Sequence, residues 1–83
     1  CLIPNVISPN NDTYNDTFDL TGCEVVKLQI YNRYGVEVND FRNYSDQWGG
    51  NNRKGESLPD GTYFYVAEIK NGTSKSGWVF VTR

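Results

Sequence analysis

The sequence predicts an all-β domain, an immunoglobulin-like antiparallel β-sandwich of about seven short strands. Val and Ile total twelve against five for Leu and Ala, and twelve residues are aromatic, so the apolar side chains suit a pleated sheet. Eight Gly, three Pro and ten Asn supply turns. No window combines helix formers with an apolar period near 3.6 residues. A small barrel is the alternative architecture.

The first half of the chain predicts three strands. Residues 2–8 are apolar but contain Pro4, which cannot donate to a sheet ladder, so they are predicted as an edge strand. A polar loop over residues 10–16 separates them from a short strand at 18–20. Residues 25–32 alternate most clearly, with Val26, Leu28 and Ile30 expected on one face.

The second half predicts two hairpins. The Tyr34–Gly35 turn leads into a strand at 36–41, and residues 43–58 form a long polar excursion. A turn at Pro59–Gly61 precedes a strand at 63–70, where the Tyr63 hydroxyl is expected to bond back to the main chain. Asn71–Gly72 is a strong hairpin signal. The last strand, 77–82, is apolar on both faces, which suggests a central position.

Composition also limits the function. The chain has no His, the commonest general base, and its net charge of −2 does not favour a nucleic-acid or membrane-surface binder. We therefore expect no enzymatic activity, no required cofactor, and a domain that does not itself insert into a membrane. Because there is no Met, residues 1–83 are expected to be one domain cut from a larger secreted protein. Residues 1–26 carry −4, and the remainder carries +2.

The two cysteines, Cys1 and Cys23, offer one cross-link. A disulfide between them would add about 3 kcal/mol to stability in the chain-entropy model and would indicate an oxidising compartment. Two unpaired thiols, or pairing of Cys1 with another part of a longer chain, are the alternatives.

Calcium is the one metal that the sequence suggests. Oxygen-bearing side chains at alternate positions of a tight loop converge on one point, and Ca²⁺ takes six to eight oxygens. The alternative is that these Asn and Asp side chains cap turns through local hydrogen bonds. The candidate ligands for a structural calcium are Asn10, Asp12, the Tyr14 carbonyl, Asn15, Asp16 and Asp19.

Three aromatic residues in predicted turns, Tyr34, Tyr44 and Trp48, are candidates for exposed rings. Such rings can stack on sugars or anchor a protein partner. The alternative, which we favour over sugar binding, is that they close the ends of a thin sandwich whose small core needs large side chains.

Several segments together resemble a known family. Residues 4–18 are similar to its opening run, Pro-Asn-(two apolar)-(Thr/Ser)-Pro-Asn-Gly-Asp-Gly-x-Asn-Asp-x-Phe. Residues 30–35 resemble its Ile-Tyr-Asn-Arg-Trp-Gly element, residues 48–50 its Trp-Asp-Gly, and residues 58–65 its Leu-Pro-Asp-Gly-Thr-Tyr-Tyr-Tyr. These motifs follow the family's order over nearly the whole chain. Four residues differ from the family's pattern: Asn11, Thr13, Tyr34 and Gly49. The matching residues are Pro4, Asn5, Pro9, Asn10, Asp12, Asn15, Asp16, Tyr31, Asn32, Arg33, Gly35, Trp48, Gly50, Pro59, Asp60, Gly61 and Tyr63.

The family that the chain resembles is the gliding-motility-associated C-terminal domain of Bacteroidota, the type B sorting domain of type IX secretion cargo. The resemblance implies a domain of a large surface protein, such as an adhesin, that crosses the periplasm and reaches the cell surface or the medium. It implies as partners the components of the type IX translocon and an outer-membrane barrel of the PorP/SprF type.

The recognised surface is expected at an edge strand or a loop patch. The last strand is one candidate handle, and the loop aromatics with the Asn32–Gly35 turn are another. The candidate partner-binding residues are Arg33, Tyr34, Tyr44, Trp48, Val81 and Arg83. For Arg33, a structural bond to loop carbonyls is the alternative. The alternative function is an immunoglobulin-like spacer or a carbohydrate-binding module of an extracellular protein.

Overall fold

The structure is a computed structural model that describes residues 1–11 and 15–83. Within these residues there are five strands and no helix. The strands are β1 (Val6–Ile7), β2 (Val25–Tyr31), β3 (Glu37–Arg42), β4 (Gly61–Ile69) and β5 (Ser74–Val81). They form one sheet in the order β1-β5-β4-β2-β3.

The sheet is antiparallel except at one edge. The β1 strand runs parallel to β5, with Val6 opposite Phe80 and Ile7 opposite Val81. The β4–β5 hairpin and the β2–β4 and β2–β3 pairs are antiparallel. The all-β class is therefore confirmed, whereas the edge strand at 2–8 is reduced to two residues and adds a parallel pair to the expected antiparallel arrangement.

The second layer of this sandwich-like domain is made of loops. One face of the sheet is buried beneath residues 16–23 and 43–58, and the core between the two layers includes Ile7, Leu28, Ile30, Val79 and Val81. Residues 18–20, expected as a strand, lie in this loop layer instead. One backbone hydrogen bond joins them to the neighbouring loop, from Phe18 N to the Trp48 carbonyl at 2.8 Å. The described chain thus has five strands where about seven were expected, because loop segments fill one layer.

A polar scaffold holds the loop layer together. The Tyr44 hydroxyl donates to the Phe18 carbonyl at 2.6 Å and accepts from Trp48 N at 3.1 Å. The indole Nε1 of Trp48 donates to the Asn51 carbonyl at 2.8 Å. Asp46 accepts from Leu20 N and from the Thr21 hydroxyl, both at 2.7 Å. Buried polar groups are thereby satisfied inside a layer that lacks a strand ladder.

The predicted inward face of β2 is wrong at its first residue, Val26. Val26 was expected inside with Leu28 and Ile30, but Val25 is buried and Val26 is exposed. A bulge in the β2–β4 pairing between Val25 and Lys27 shifts the alternation by one residue.

Cys1 and Cys23 form a disulfide, with their Cα atoms 5.1 Å apart. Cys23 is buried in the core cluster, so the bridge ties residue 1 to the loop layer. Of the alternatives left open by the sequence, the structure contains the intramolecular bridge.

Candidate functional site

Two turns that carry family-like motifs lie at the same end of the sheet. The β2 strand ends at Tyr31, and β4 begins at Gly61; Tyr31 lies opposite Phe64 in the antiparallel pair. The turn after β2 and the turn before β4 therefore face each other across a cleft of about 330 Å³. The cleft is lined by Asn32, Arg33, Tyr34, Val38, Leu58, Pro59, Asp60, Gly61, Thr62 and Tyr63.

The side chain of Asn32 shapes the first turn. Its Oδ1 accepts from Tyr34 N at 2.9 Å and from Val36 N at 3.1 Å, and Gly35 occupies the left-handed region with φ 83°. At the tip, Nη2 of Arg33 donates to the Tyr34 hydroxyl at 2.9 Å, and the guanidinium lies 5.1 Å from the centre of that ring. Tyr34 is 76% exposed, so this pair stands at the surface.

Arg83 holds the second turn in place. Its Nη1 donates to the Leu58 carbonyl at 2.7 Å and to Asp60 Oδ1 at 2.9 Å, while Nη2 donates to the Gly50 carbonyl at 3.0 Å. Its backbone N donates to Asp60 Oδ2 at 3.1 Å. The backbone and side-chain hydrogen bonds from Arg83 lower the pKa of Asp60 below its usual value. Arg83, expected to contact a partner, is thus engaged in an intramolecular clamp.

The expected tyrosine bond is present beside this clamp. The Tyr63 hydroxyl donates to the Pro59 carbonyl at 2.6 Å, which closes the turn that enters β4. Burial raises the pKa of Tyr63 above its usual value.

Two of the three candidate aromatic rings are not exposed. Trp48 is fully buried and Tyr44 nearly so, whereas Tyr34 is exposed. The hypothesis of exposed rings, for sugar stacking or for anchoring a partner, is wrong at Tyr44 and Trp48, and the alternative favoured over sugar binding, that these rings serve the small core, describes their placement. The small sheet alone cannot supply a core, so the loop layer contributes its largest side chains to it. Burial also raises the pKa of Tyr44.

The last strand is covered at its C-terminal end. The β5 strand pairs with β4 on one side and with β1 on the other, and Val81 is fully buried. Its position between two strands agrees with the apolar pattern of both faces, and β1 closes this edge to strand addition only at Phe80 and Val81.

The calcium candidates fall into two groups. Asp12 and Tyr14 lie outside the described residues. Asp16 Oδ1 accepts from the backbone N of Asn10 and of Asn11, both at 3.1 Å, and Asp19 Oδ1 accepts from Thr21 N at 2.9 Å. These bonds are of the turn-capping kind. The side-chain hydrogen bond from Thr21 is the main reason that the pKa of Asp19 is lowered.

The Asn15 carbonyl accepts from Ser8 N at 2.8 Å, so this end of the loop is tied to the segment after β1. Within residues 1–11 and 15–83, no three His, Cys, Asp or Glu side chains come together as a metal site. Calcium binding therefore stays a prediction.

The outer face of the sheet forms a second candidate surface, which was not predicted from the sequence. On this open face, Phe64 and Trp78 make an edge contact with ring centres 5.0 Å apart, and Trp78 is 54% exposed. A groove of about 390 Å³ runs along them and is lined by Tyr31, Asn32, Arg33, Gly35, Phe64, Val66 and Trp78. The available signal was the alternation of Phe64 and Val66 in β4 beside a last strand that is apolar on both faces.

The fold and the site define a small, disulfide-bonded all-β domain. Comparison with protein families matches residues 1–81 to the CHU_C type IX secretion signal domain. The chain therefore belongs to that family. Its members are secretion signals of the type IX system, and the family is not an enzymatic one. Searches of curated proteins and of solved structures gave no significant match to the chain.

Membership in this family implies interaction with the secretion system and export to the cell surface or the extracellular space. No helix in the described part of the chain has the length and apolar character needed to cross a bilayer.

Proposed function

We propose that this domain is a C-terminal sorting signal that directs a larger attached protein to the type IX translocon. The attached protein would fold in the periplasm, cross the outer membrane and remain at the cell surface or be released. The family match over residues 1–81 is the observation that carries the proposal. The disulfide between Cys1 and Cys23 supports it, because such bridges persist in oxidising compartments.

The resemblance to the type B sorting domains of Bacteroidota supports a finer proposal. The reader of the signal would be a translocon that works with an outer-membrane barrel of the PorP/SprF type, and the attached protein would be a gliding protein or an adhesin. A spacer or carbohydrate-binding role is not favoured by the family match.

Export of a fluorescent passenger tests the proposal. Residues 1–83 are fused to the C-terminus of the passenger behind a periplasmic signal peptide, in a Bacteroidota host with and without the translocon. We expect translocon-dependent fluorescence outside the cell. A matched fusion without residues 1–83 should remain in the periplasm of both strains.

A second pair of strains, with and without the barrel partner, tests whether the barrel is needed to recognise the signal. Loss of export without the barrel supports the finer proposal. Retention of the fusion in the periplasm of every strain, with the domain folded and all partners present, would overturn the sorting role.

A further inference from the structure

The open face of the sheet is divided into an apolar half and a charged half. Beyond the Phe64–Trp78 pair, the apolar half continues through Phe80 and Val6, which lie opposite each other and are both about two-fifths exposed. The register places the charged half on β2 and β3, where Lys27 lies opposite Arg42. A contiguous exposed aromatic surface of this kind is typical of an interaction site.

Part of the charged half is neutralised within the chain. Arg53 pairs with Glu37 and, at 2.8 Å, with Asp40. Gln29 also donates to Glu37, at 3.1 Å. Glu37, Asp40 and Arg53 therefore have partners, whereas Lys27 and Arg42 form no ion pair with any described carboxylate and leave positive charge on this half.

Arg33 differs from Arg53 although the two occupy equivalent turns. Asn32 and Asn52 each begin an Asn-Arg-x-Gly turn, and each accepts from the backbone N two and four residues further on. Arg53 has two carboxylate partners, whereas Arg33 makes no ion pair with any described carboxylate and contacts the Tyr34 hydroxyl.

Arg33 also lies where the cleft and the groove meet. It lines both cavities and is the one charged side chain that lines the groove. The carboxylate in the cleft, Asp60, is already held by Arg83. The local surface is therefore an aromatic groove with an unneutralised guanidinium at its end, on a domain whose net charge is −2. A partner that pairs with this guanidinium carries a carboxylate, because guanidinium and carboxylate groups form strong charge-assisted hydrogen bonds.

We propose that this groove, with Arg33 at its end, docks an exposed segment of the secretion machinery in which an Asp or Glu lies beside an aromatic or aliphatic residue. The apolar side chain packs on Trp78 and Phe64, while the carboxylate pairs with Arg33. The proposal rests on the sorting function proposed above. Tyr34 supports it by holding the guanidinium, which reduces the side-chain entropy lost on binding.

Variants in the passenger export assay separate this proposal from the sorting function itself. Trp78→Thr removes the ring and keeps a residue suited to a strand, and we expect export to fall at least ~10-fold, as for an interface hot spot. Arg33→Gln should lower export several-fold, and Arg33→Glu should lower it further because like charges then meet.

Two matched controls accompany these variants. Arg53→Gln removes the arginine of the equivalent turn, and Leu2→Ser removes an exposed apolar side chain elsewhere. Both should export like the unmodified domain, and all five variants should melt within a few degrees of it. If the unmodified domain is not exported, the sorting function fails. If it is exported and Trp78→Thr and Arg33→Glu are exported equally well, the docking proposal alone is wrong.

Photo-crosslinking identifies the segment that binds in the groove. A photoreactive residue replaces Ser76, which lies opposite Val66 across the β4–β5 pair, and the adduct formed in exporting cells is sequenced by mass spectrometry. We expect an adduct with a secretion-system segment that contains Asp or Glu beside an apolar residue, and its loss in the Arg33→Glu background. Adducts with a second copy of this chain, with glycans, or with a segment lacking a carboxylate would overturn the proposal. A dimer of the purified domain that Trp78→Thr dissociates would also overturn it.

Discussion

At the scale of single residues, side-chain bonds to the main chain determine the shape of the turns. The Oδ1 atoms of Asn32 and Asn52 each accept backbone N–H groups of their own turns, and Tyr63 and Arg83 fasten the entrance of β4. The sequence indicated the Asn32 turn and the Tyr63 bond because their local patterns are distinctive. The partners of Arg83 lie 23 to 33 residues away along the chain, so no local pattern predicts them.

The Asp60–Arg83 clamp predicts a pH dependence of stability. The pKa of Asp60 is lowered in the folded domain, so its contribution is present above the unfolded pKa near ~4 and is lost as pH falls through the folded value. Thermal melts of the unmodified domain and of Asp60→Asn between pH 7 and pH 2 measure this. We expect the unmodified domain to melt higher at pH 7 and the difference to shrink below about pH 4. A difference that is constant with pH would contradict the role of this carboxylate.

Gly50 is required by both its conformation and its surroundings. Its φ is 75°, and a Cβ there would lie 2.9 Å from Arg83 Nη2 and 3.1 Å from Val81 Cγ1. Gly55 has φ 83° but open space around it, which makes it the matched control. We expect Gly55→Ala to cost about 1–2 kcal/mol through backbone strain, and Gly50→Ala about 1–3 kcal/mol more through crowding. Urea unfolding measures both, and equal costs would contradict the packing argument.

At the scale of elements, the strands with regular alternation were predictable and their exact faces were not. The expected strands at 25–32 and 36–41 correspond to β2 and β3, and the Asn71–Gly72 turn joins β4 to β5. The β5 strand begins earlier than residue 77 because the hairpin register pairs Ser74, Lys75 and Ser76 with β4. The bulge at Val25–Lys27 was not predictable, since it arises from pairing with β4.

The loop layer depends on the Tyr44 hydroxyl. Tyr44→Phe keeps the ring but removes the donor to the Phe18 carbonyl and the acceptor for Trp48 N. We expect a loss of about 1–3 kcal/mol in the free energy of unfolding, because buried polar groups lose a partner. Tyr34→Phe, at an exposed ring, should change stability by less than about 0.5 kcal/mol. Equal effects of the two substitutions would contradict the scaffold role.

At the scale of the whole molecule, one sheet and one loop layer make a core that a cross-link supports. We expect the double variant Cys1→Ser, Cys23→Ala to be less stable by about 3 kcal/mol, because the bridge restricts the unfolded chain. Urea unfolding under non-reducing conditions measures the loss. An unchanged unfolding midpoint and slope would contradict a stabilising role of the bridge.

The pairing of surface charges is also determined at this scale. Residues 1–26 contain acidic residues and no Lys or Arg, whereas residues 27–83 contain six acidic and eight basic residues, whose pairing depends on the fold. Arg53 meets Glu37 and Asp40 across the surface, whereas Arg33 in an equivalent turn meets no described carboxylate. The candidate docking surface therefore becomes visible only when the register is known.

The sequence by itself determined the all-β class, the principal turns and the resemblance to a type IX sorting domain, because these depend on side-chain shape, local hydrogen bonds and motif order. Tertiary structure decided that loops replace one sheet layer and that Tyr44 and Trp48 are buried. It also decided that Trp78, Phe64 and Arg33 share one exposed surface. Strand register and long-range hydrogen bonds set these features, and neither is encoded in a short stretch of residues.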